Sequence, residues 1–311
     1  MHEATSSVVF GGETERATSL PEMPALKPRL IRSILVPLDG TSASEAVLPY
    51  IEGMAAHLNA NLVFLTCVPE GLKSGVPERQ YLERLAIPIR KRGLGVATTV
   101  REAEPGQGIV QTSLSYETDI IAIAIDADPT GKHDLLGTVI REVLTSRVEP
   151  VLVLRDEDGR LARERWTPPS AVVVGLDGSA LSATALPHAE ALANMFNSEI
   201  VLVRAVLASD ALSGAARYYG AVDEFAERHL AGVAEALRLR GFKVATRTGH
   251  RLADQEILAA ADSWPGSLIV LSTRGMTGRT KLVLGSVTER VIHSKRHPVF
   301  VVPAARPTPL N

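Results

Sequence analysis

Ten short apolar runs punctuate the chain, at 33–38, 62–67, 95–100, 119–125 and 150–154, then at 171–176, 199–205, 242–247, 267–271 and 298–302. Their apolarity is continuous rather than alternating, which marks strands covered on both faces, as in a parallel sheet. Between them lie stretches of helical character, such as 43–58 and 180–195, each opening with a Ser or Thr near the cap position. Five strands and four crossover helices in each half predict an α/β fold: a doubly wound five-stranded parallel-sheet domain, repeated in tandem.

The repeat is explicit in the residues. Asp39-Gly40-Thr41 and Asp177-Gly178-Ser179 each follow the first apolar run of a half. Leu136-Gly137-Thr138-Val139 matches Leu284-Gly285-Ser286-Val287, and Pro150-Val151-Leu152-Val153 matches Pro298-Val299-Phe300-Val301. The register between copies grows along the chain, so the second copy carries about ten extra residues, placed near 206–225. Residues 1–29 hold three prolines and no apolar periodicity, and are expected to form a flexible tail. Domains are accordingly expected at 30–156 and 170–304, with a charged, then proline-rich linker at 157–169 and a short tail at 305–311. The length of 311 residues agrees with two domains of roughly 150 residues each.

Composition narrows the partners. Lys plus Arg number 33 against 35 Asp plus Glu, a net charge of −2, so no global basic field draws the chain to nucleic acid or anionic lipid. Aromatic residues are only 4%, too few to build a base-stacking surface readily. Arg79, Arg84, Arg90, Lys91 and Arg92 form one basic stretch, which reads as a solvated helix face. The single cysteine, Cys67, excludes an intramolecular disulfide or a cysteine-ligated zinc site and fits a reducing, cytoplasmic setting. No secretory leader and no apolar run long enough to span a bilayer is expected.

The most informative stretch runs from Leu271 to Val287, after a buried strand and into a helix starting near Ser286. Gly275, Gly278 and Gly285 let backbone approach a ligand closely, while free amides at the helix start and the Ser286 hydroxyl can donate to phosphate oxygens. Arg274, Arg279 and Lys281 add positive charge, with no acidic residue between 267 and 288. In an open α/β sheet, ligands bind beyond the carboxyl ends of the strands at the switch point, where this turn and the Asp177 turn would meet. The bland alternatives are that the glycines merely turn the chain and that Asp177 closes an Asx turn or helix cap with Ser179 and Ser182.

Other chemistry fails on spacing. Gly131-Lys132 lacks the glycine five residues earlier and the following Ser or Thr of a phosphate-binding Walker loop. His293 and His297, four apart, have no convergent partner that would make a metal site. No Gly-x-Ser-x-Gly elbow occurs, and Cys67 has no adjacent base, so a buried inert thiol is expected. Neither a Ser-Gly-Gly-x-Asp loop nor paired His and Lys-Ser adenylation signatures are present.

Gly275, nine intervening residues and Gly285-Ser286 resemble the Gly-x2-Gly-x9-Gly-[Ser/Thr] pattern of the universal stress protein family, with Ser272 where the first family glycine stands. Val287 to His293 and Pro298 to Val302 resemble its closing helix and last strand. The resemblance covers residues 31–155 and 170–303 and implies an ATP site in the second copy, with magnesium accompanying the phosphates. It would place Asp177 and Gly178 toward ribose or adenine and Ala205 beside the base. Ser272, Arg274, Gly275, Gly278, Gly285, Ser286 and Val287 would surround the phosphates. The matching positions of the first copy, Pro37, Asp39, Cys67, Gly137 and Thr138, outline a weaker site. There the glycines become Ala124 and Ala127, and Asp126, Asp128 and Asp134 stand nearby. An unpaired carboxylate about 4 Å from a phosphate costs roughly 1 kcal/mol in water and several times that in a cleft. The expectation is an asymmetric tandem: a nucleotide-dependent stress-response switch with nucleotide mainly in the second half, the halves pairing through 150–154 and 298–302, and an unknown protein partner. The competing readings are a scaffold without nucleotide and a weak ATPase; further homo-oligomerisation stays open.

Overall fold

The computed structural model describes residues 30–71, 75–125, 137–146, 149–155, 165–206, 216–273, 284–294 and 297–303, and of residues 216–223 the backbone alone. The expected tails, the first-copy loop at 126–134, most of the linker, and Arg274, Gly275 and Gly278 lie outside the described residues.

In the first half, β1 (Ser33–Pro37) leads through α1 (Ser42–Glu45) and α2 (Leu48–Leu58) to β2 (Asn61–Val68). Then come α3 (Val76–Lys91), β3 (Val96–Glu102), α4 (Pro105–Ser115), β4 (Ile120–Ile125), α5 (Thr138–Ser146) and β5 (Val151–Arg155). The second half repeats this: β6 (Ala171–Gly175), α6 (Ala180–Ala183), α7 (Leu186–Phe196), β7 (Glu199–Ala205), α8 (Ala216–Leu239), β8 (Val244–Gly249), α9 (Ala253–Asp262), β9 (Leu268–Ser272), α10 (Ser286–His293) and β10 (Val299–Val302). The strands form one sheet in the order β3-β2-β1-β4-β5-β10-β9-β6-β7-β8. Pairing is parallel within each half, and antiparallel where β5 meets β10.

Strand alternation splits the core. Ile34, Val36, Phe64, Leu152, Val174, Leu202 and Phe300 face α2, α3, α7 and α8. Leu35, Val63, Ile121, Val153, Val173, Val203 and Val301 face α4, α5, α9 and α10. With helices on both faces, the eight inner strands are largely buried on both sides, which is why their runs read as continuously apolar, whereas the edge strands β3 and β8 are only partly covered.

The two helices expected at 43–58 and 180–195 are each broken. Pro49 and Pro187 occupy the first turns of α2 and α7. Proline has no N–H to donate to the carbonyl four residues back, at Glu45 and Ala183, so α1 and α6 end there and the chain bends before continuing.

Candidate functional site

In both halves the carboxylate after the first strand organises its own turn. Asp177 Oδ1 accepts from the Ser179 amide at 2.9 Å, and Ser179 Oγ accepts from the Ser182 amide at 3.1 Å, capping α6. Asp39 Oδ1 accepts from the Thr41 amide at 2.9 Å and its hydroxyl at 2.7 Å, while Thr41 caps α1. Burial raises Asp39, but hydrogen bonds with Ser44 and Thr41 outweigh it and hold the carboxyl below its usual range. The Asx-turn alternative is thus real for both residues. Gly40 and Gly178 each sit at φ +85°, a left-handed conformation that glycine takes without strain.

Topology brings the Asp177 turn to the β9 end. β6 and β9 are parallel neighbours with Val174 opposite Val270, so Asp177 and Thr273 each lie three residues past the same rung. The Thr273 amide donates to the Val302 carbonyl at 2.8 Å, and the Gly285 amide donates to the Thr273 carbonyl at 2.8 Å. Thr288 Oγ1 donates to the Ser272 carbonyl at 2.9 Å. These bonds hold the start of α10 at the carboxyl end of β9, with Ser272 and Thr273 buried beneath it. This is the switch point: the chain leaves β6 toward one face and β9 toward the other.

α10 begins on Gly285 with no side-chain cap, unlike α6. Ser286 is exposed, Val287 is half-buried, and the first-turn amides of a helix carry a partial positive charge that suits an anion. In the first copy, Gly137 and Thr138 are exposed at the corresponding place, but Gly137 has φ +60° where Gly285 has −66°. The two copies therefore enter this helix along different backbone paths.

One residue that sequence reasoning passed over stands at the centre. Arg204, next to the predicted Ala205, reaches beneath the Asp177-Gly178 turn: a Cβ on Gly178 would meet Arg204 Nη1 at 3.0 Å. Its guanidinium lies 5.4 Å from the Phe225 ring centroid. Arg204 Nη1 and His229 Nδ1 are buried and make no hydrogen bond among the described residues. Burial lowers the pKa of Arg204 while the Asp177 charge raises it. Burial and then the positive charge of Arg204 lower that of His229, with Asp177 opposing. The signal in the sequence was the alternation of β7: if Leu202 faces the α7–α8 side, so must Arg204, while Ala205 continues the face of Val203.

The first copy fills the same place differently. Counterparts of Arg204, His229 and Ala183 are Thr66, Tyr81 and Glu45. Thr66 Oγ1 donates to the Leu38 carbonyl at 2.9 Å, and burial, followed by the charge of Glu45, pushes the Tyr81 phenol up. Pro37 ends β1 at the same turn. Cys67 lies on the α4 side, its Sγ 3.8 Å from the Pro105 carbonyl oxygen, and burial pushes its thiol up to about 11. That is a packed thiol rather than a nucleophile.

A family model described as the universal stress protein family matches residues 31–155 and again residues 170–303. The chain belongs to the universal stress protein family, in tandem form. A universal stress protein of Mycobacterium tuberculosis strain H37Rv is 24% identical over 306 residues, spanning 88% of this chain and 98% of its own length. One from Methanocaldococcus jannaschii is 31% identical over 136 residues, covering 42% of this chain and 80% of itself. Among solved structures, a universal stress protein from Archaeoglobus fulgidus superposes with a TM-score of 0.68 at 21% identity, covering 88% of this chain and 98% of that one. At that identity the likeness establishes the fold. No helix among the described residues is long and apolar enough to cross a membrane.

Proposed function

We propose that this universal stress protein is an adenine-nucleotide-dependent switch in the stress response, with ATP held mainly by its second half. The observation that carries this is the uncapped start of α10 beside the Asp177 turn, with the unpartnered Arg204 Nη1 in the same place. The donor set suits the ligand: a carboxylate for ribose hydroxyls, helix-start amides for phosphate, and a guanidinium edge for a ring acceptor or anionic oxygen. Asp177 and Gly178 would face the ribose or base, and Ala205 would flank the base. Ser272, Gly285, Ser286 and Val287, together with Arg274, Gly275 and Gly278, would hold the phosphates. Magnesium would enter with the phosphates rather than through a protein cage.

The protein acts by binding rather than by turnover. A ligand shifts an equilibrium only by its differential affinity for two states. Contacts made to phosphate by the β9–α10 connection supply that difference, and a protein partner in the cytoplasm would read it. The first half is a pairing and regulatory module, its equivalent place taken by Tyr81 and Glu45.

Native purification followed by mass spectrometry is expected to recover an adenine nucleotide, and calorimetry is expected to show one site per chain. Gly275→Val should abolish it, since a branched side chain cannot yield to a phosphate, while Ala127→Val should leave it unchanged. No co-purified nucleotide and no heat with millimolar ATP would leave the scaffold reading. Equal loss in both variants would overturn the asymmetry.

A further inference from the structure

Where β5 meets β10, Leu152 is opposite Phe300, flanked evenly by Val153 opposite Val299 and Val151 opposite Val301. Leu152 and Phe300 are counterparts in the repeat. A local two-fold axis therefore passes between them, relating one half to the other. The axis emerges on both faces of the sheet at further counterpart pairs. On the α5–α10 face, Arg141 Nη2 bonds Glu289 Oε1 at 3.1 Å across a sequence separation of 148. On the α2–α7 face, His57 Nε2 lies 3.1 Å from the Met195 carbonyl oxygen across a separation of 138.

A residue on such an axis faces its own counterpart, so pairing of two like halves would make it face itself. We infer that the axis residues of this chain select the partner: its first half is matched to its own second half and mismatched to the same half of another copy. Pairing two first halves would set Arg141 against Arg141, and pairing two second halves Glu289 against Glu289. These side chains are 35% and 30% exposed, so the charges are partly shielded from solvent and like pairs would be poorly screened. At the buried central rung, Leu152 against Phe300 becomes either two leucines, leaving a void, or two phenylalanines, overpacking the layer.

The linker adds a third asymmetry. Trp166 is wedged between α2 and α7, with ring centroids 6.2 Å from Tyr50, 5.5 Å from His57 and 6.0 Å from Phe196. It fits because residue 53 is glycine: a Cβ there would fall 2.5 Å from Trp166 Cβ. The counterpart of Gly53 in the second half is Ala191, which carries that methyl. A second-half pair would present the wrong surface to the indole. Being joined in one chain also keeps the two halves at high effective concentration, favouring closure within the chain.

The test is a charge-swap cycle on the full chain, read by urea or thermal unfolding. Arg141→Glu and Glu289→Arg are each expected to lower the midpoint by roughly 2–4 °C, and the double variant to recover most of the loss. A double variant as low as the sum of the singles would overturn charge selection. For partner identity, Arg141→Lys keeps the charge and offers an amine to carbodiimide coupling with Glu289. Isotopically light and heavy chains of this variant are unfolded, refolded together and coupled. Cross-linked peptides are expected to be all light or all heavy; mixed peptides would overturn pairing within the chain. Gly53→Ala should lower the midpoint, and the added change Trp166→Gly, which removes the Cβ together with the indole, should remove that difference. If it does not, the indole takes no part in selection.

Discussion

At Gly178 the backbone stands at φ +85° and the Arg204 guanidinium presses on the same residue; at Gly40 φ is also +85°, yet nothing would come within 4 Å of a Cβ. The pair separates backbone strain from contact. Gly40→Ala should cost about 1–2 kcal/mol, the ordinary penalty of a left-handed L-residue. Gly178→Ala should cost more, and adding Arg204→Ala should bring that excess down toward zero in urea unfolding. His229 gives a pH prediction of definite sign. Its folded pKa lies below the ordinary 6.5, first through burial and then through Arg204. Below 6.5 the unfolded chain therefore takes up protons that the folded one resists. Stability from this group is complete above about pH 6.5 and is lost as pH falls toward the lower folded value. His229→Gln should flatten that acid limb of the stability profile, measured as urea midpoints between pH 5 and 7.5. At this scale Asp177 and Ser286 were legible, because turn and helix-start chemistry is local. Arg204 and His229 were not, because their meeting depends on a helix returning across a sheet.

The ten strands were all foreseen from apolar runs, with ends shifted by a residue or two. The helices were foreseen less well. α1 with α2, and α6 with α7, read as single helices, since apolar periodicity runs through Pro49 and Pro187 with little change. The C-termini of α2 and α7 obey the same rule in both copies: Asn59 and Asn197 stand at φ 54°, and their amides donate to the carbonyls of Ala55 and Ala193. Asn tolerates this conformation better than other non-glycine residues. Asn59→Ala and Asn197→Ala should each cost about 1 kcal/mol, and Asn→Gly less, in chemical unfolding. α10 starts on Gly285 at φ −66°, whereas α5 follows Gly137 at φ +60°. That difference could not be read from Gly285-Ser286 alone, since Gly137-Thr138 looks equivalent in sequence yet takes a different backbone path.

Among the described residues, joining β5 to β10 turns two five-stranded sheets into one of ten strands with β3 and β8 as its edges. An exposed strand edge invites unwanted pairing, and the tandem removes two of its four. The whole chain should also report ligand. Nucleotide at about 100 times its dissociation constant should stabilise the folded protein by about 2.7 kcal/mol, an upward shift in thermal unfolding that Gly275→Val should lose. What the sequence by itself determined was the class of fold, its duplication and the local chemistry of its turns, because apolar burial and backbone geometry repeat over short, readable periods. It also showed an acidic loop in one copy against a basic one in the other. Only the tertiary structure decided that Arg204 underlies the Asp177 turn, that Trp166 fills the recess over Gly53, and that Arg141 faces Glu289 on a local axis. Each of these joins residues far apart in the chain. The joining follows from strand order and pairing register, which no local pattern of residues encodes.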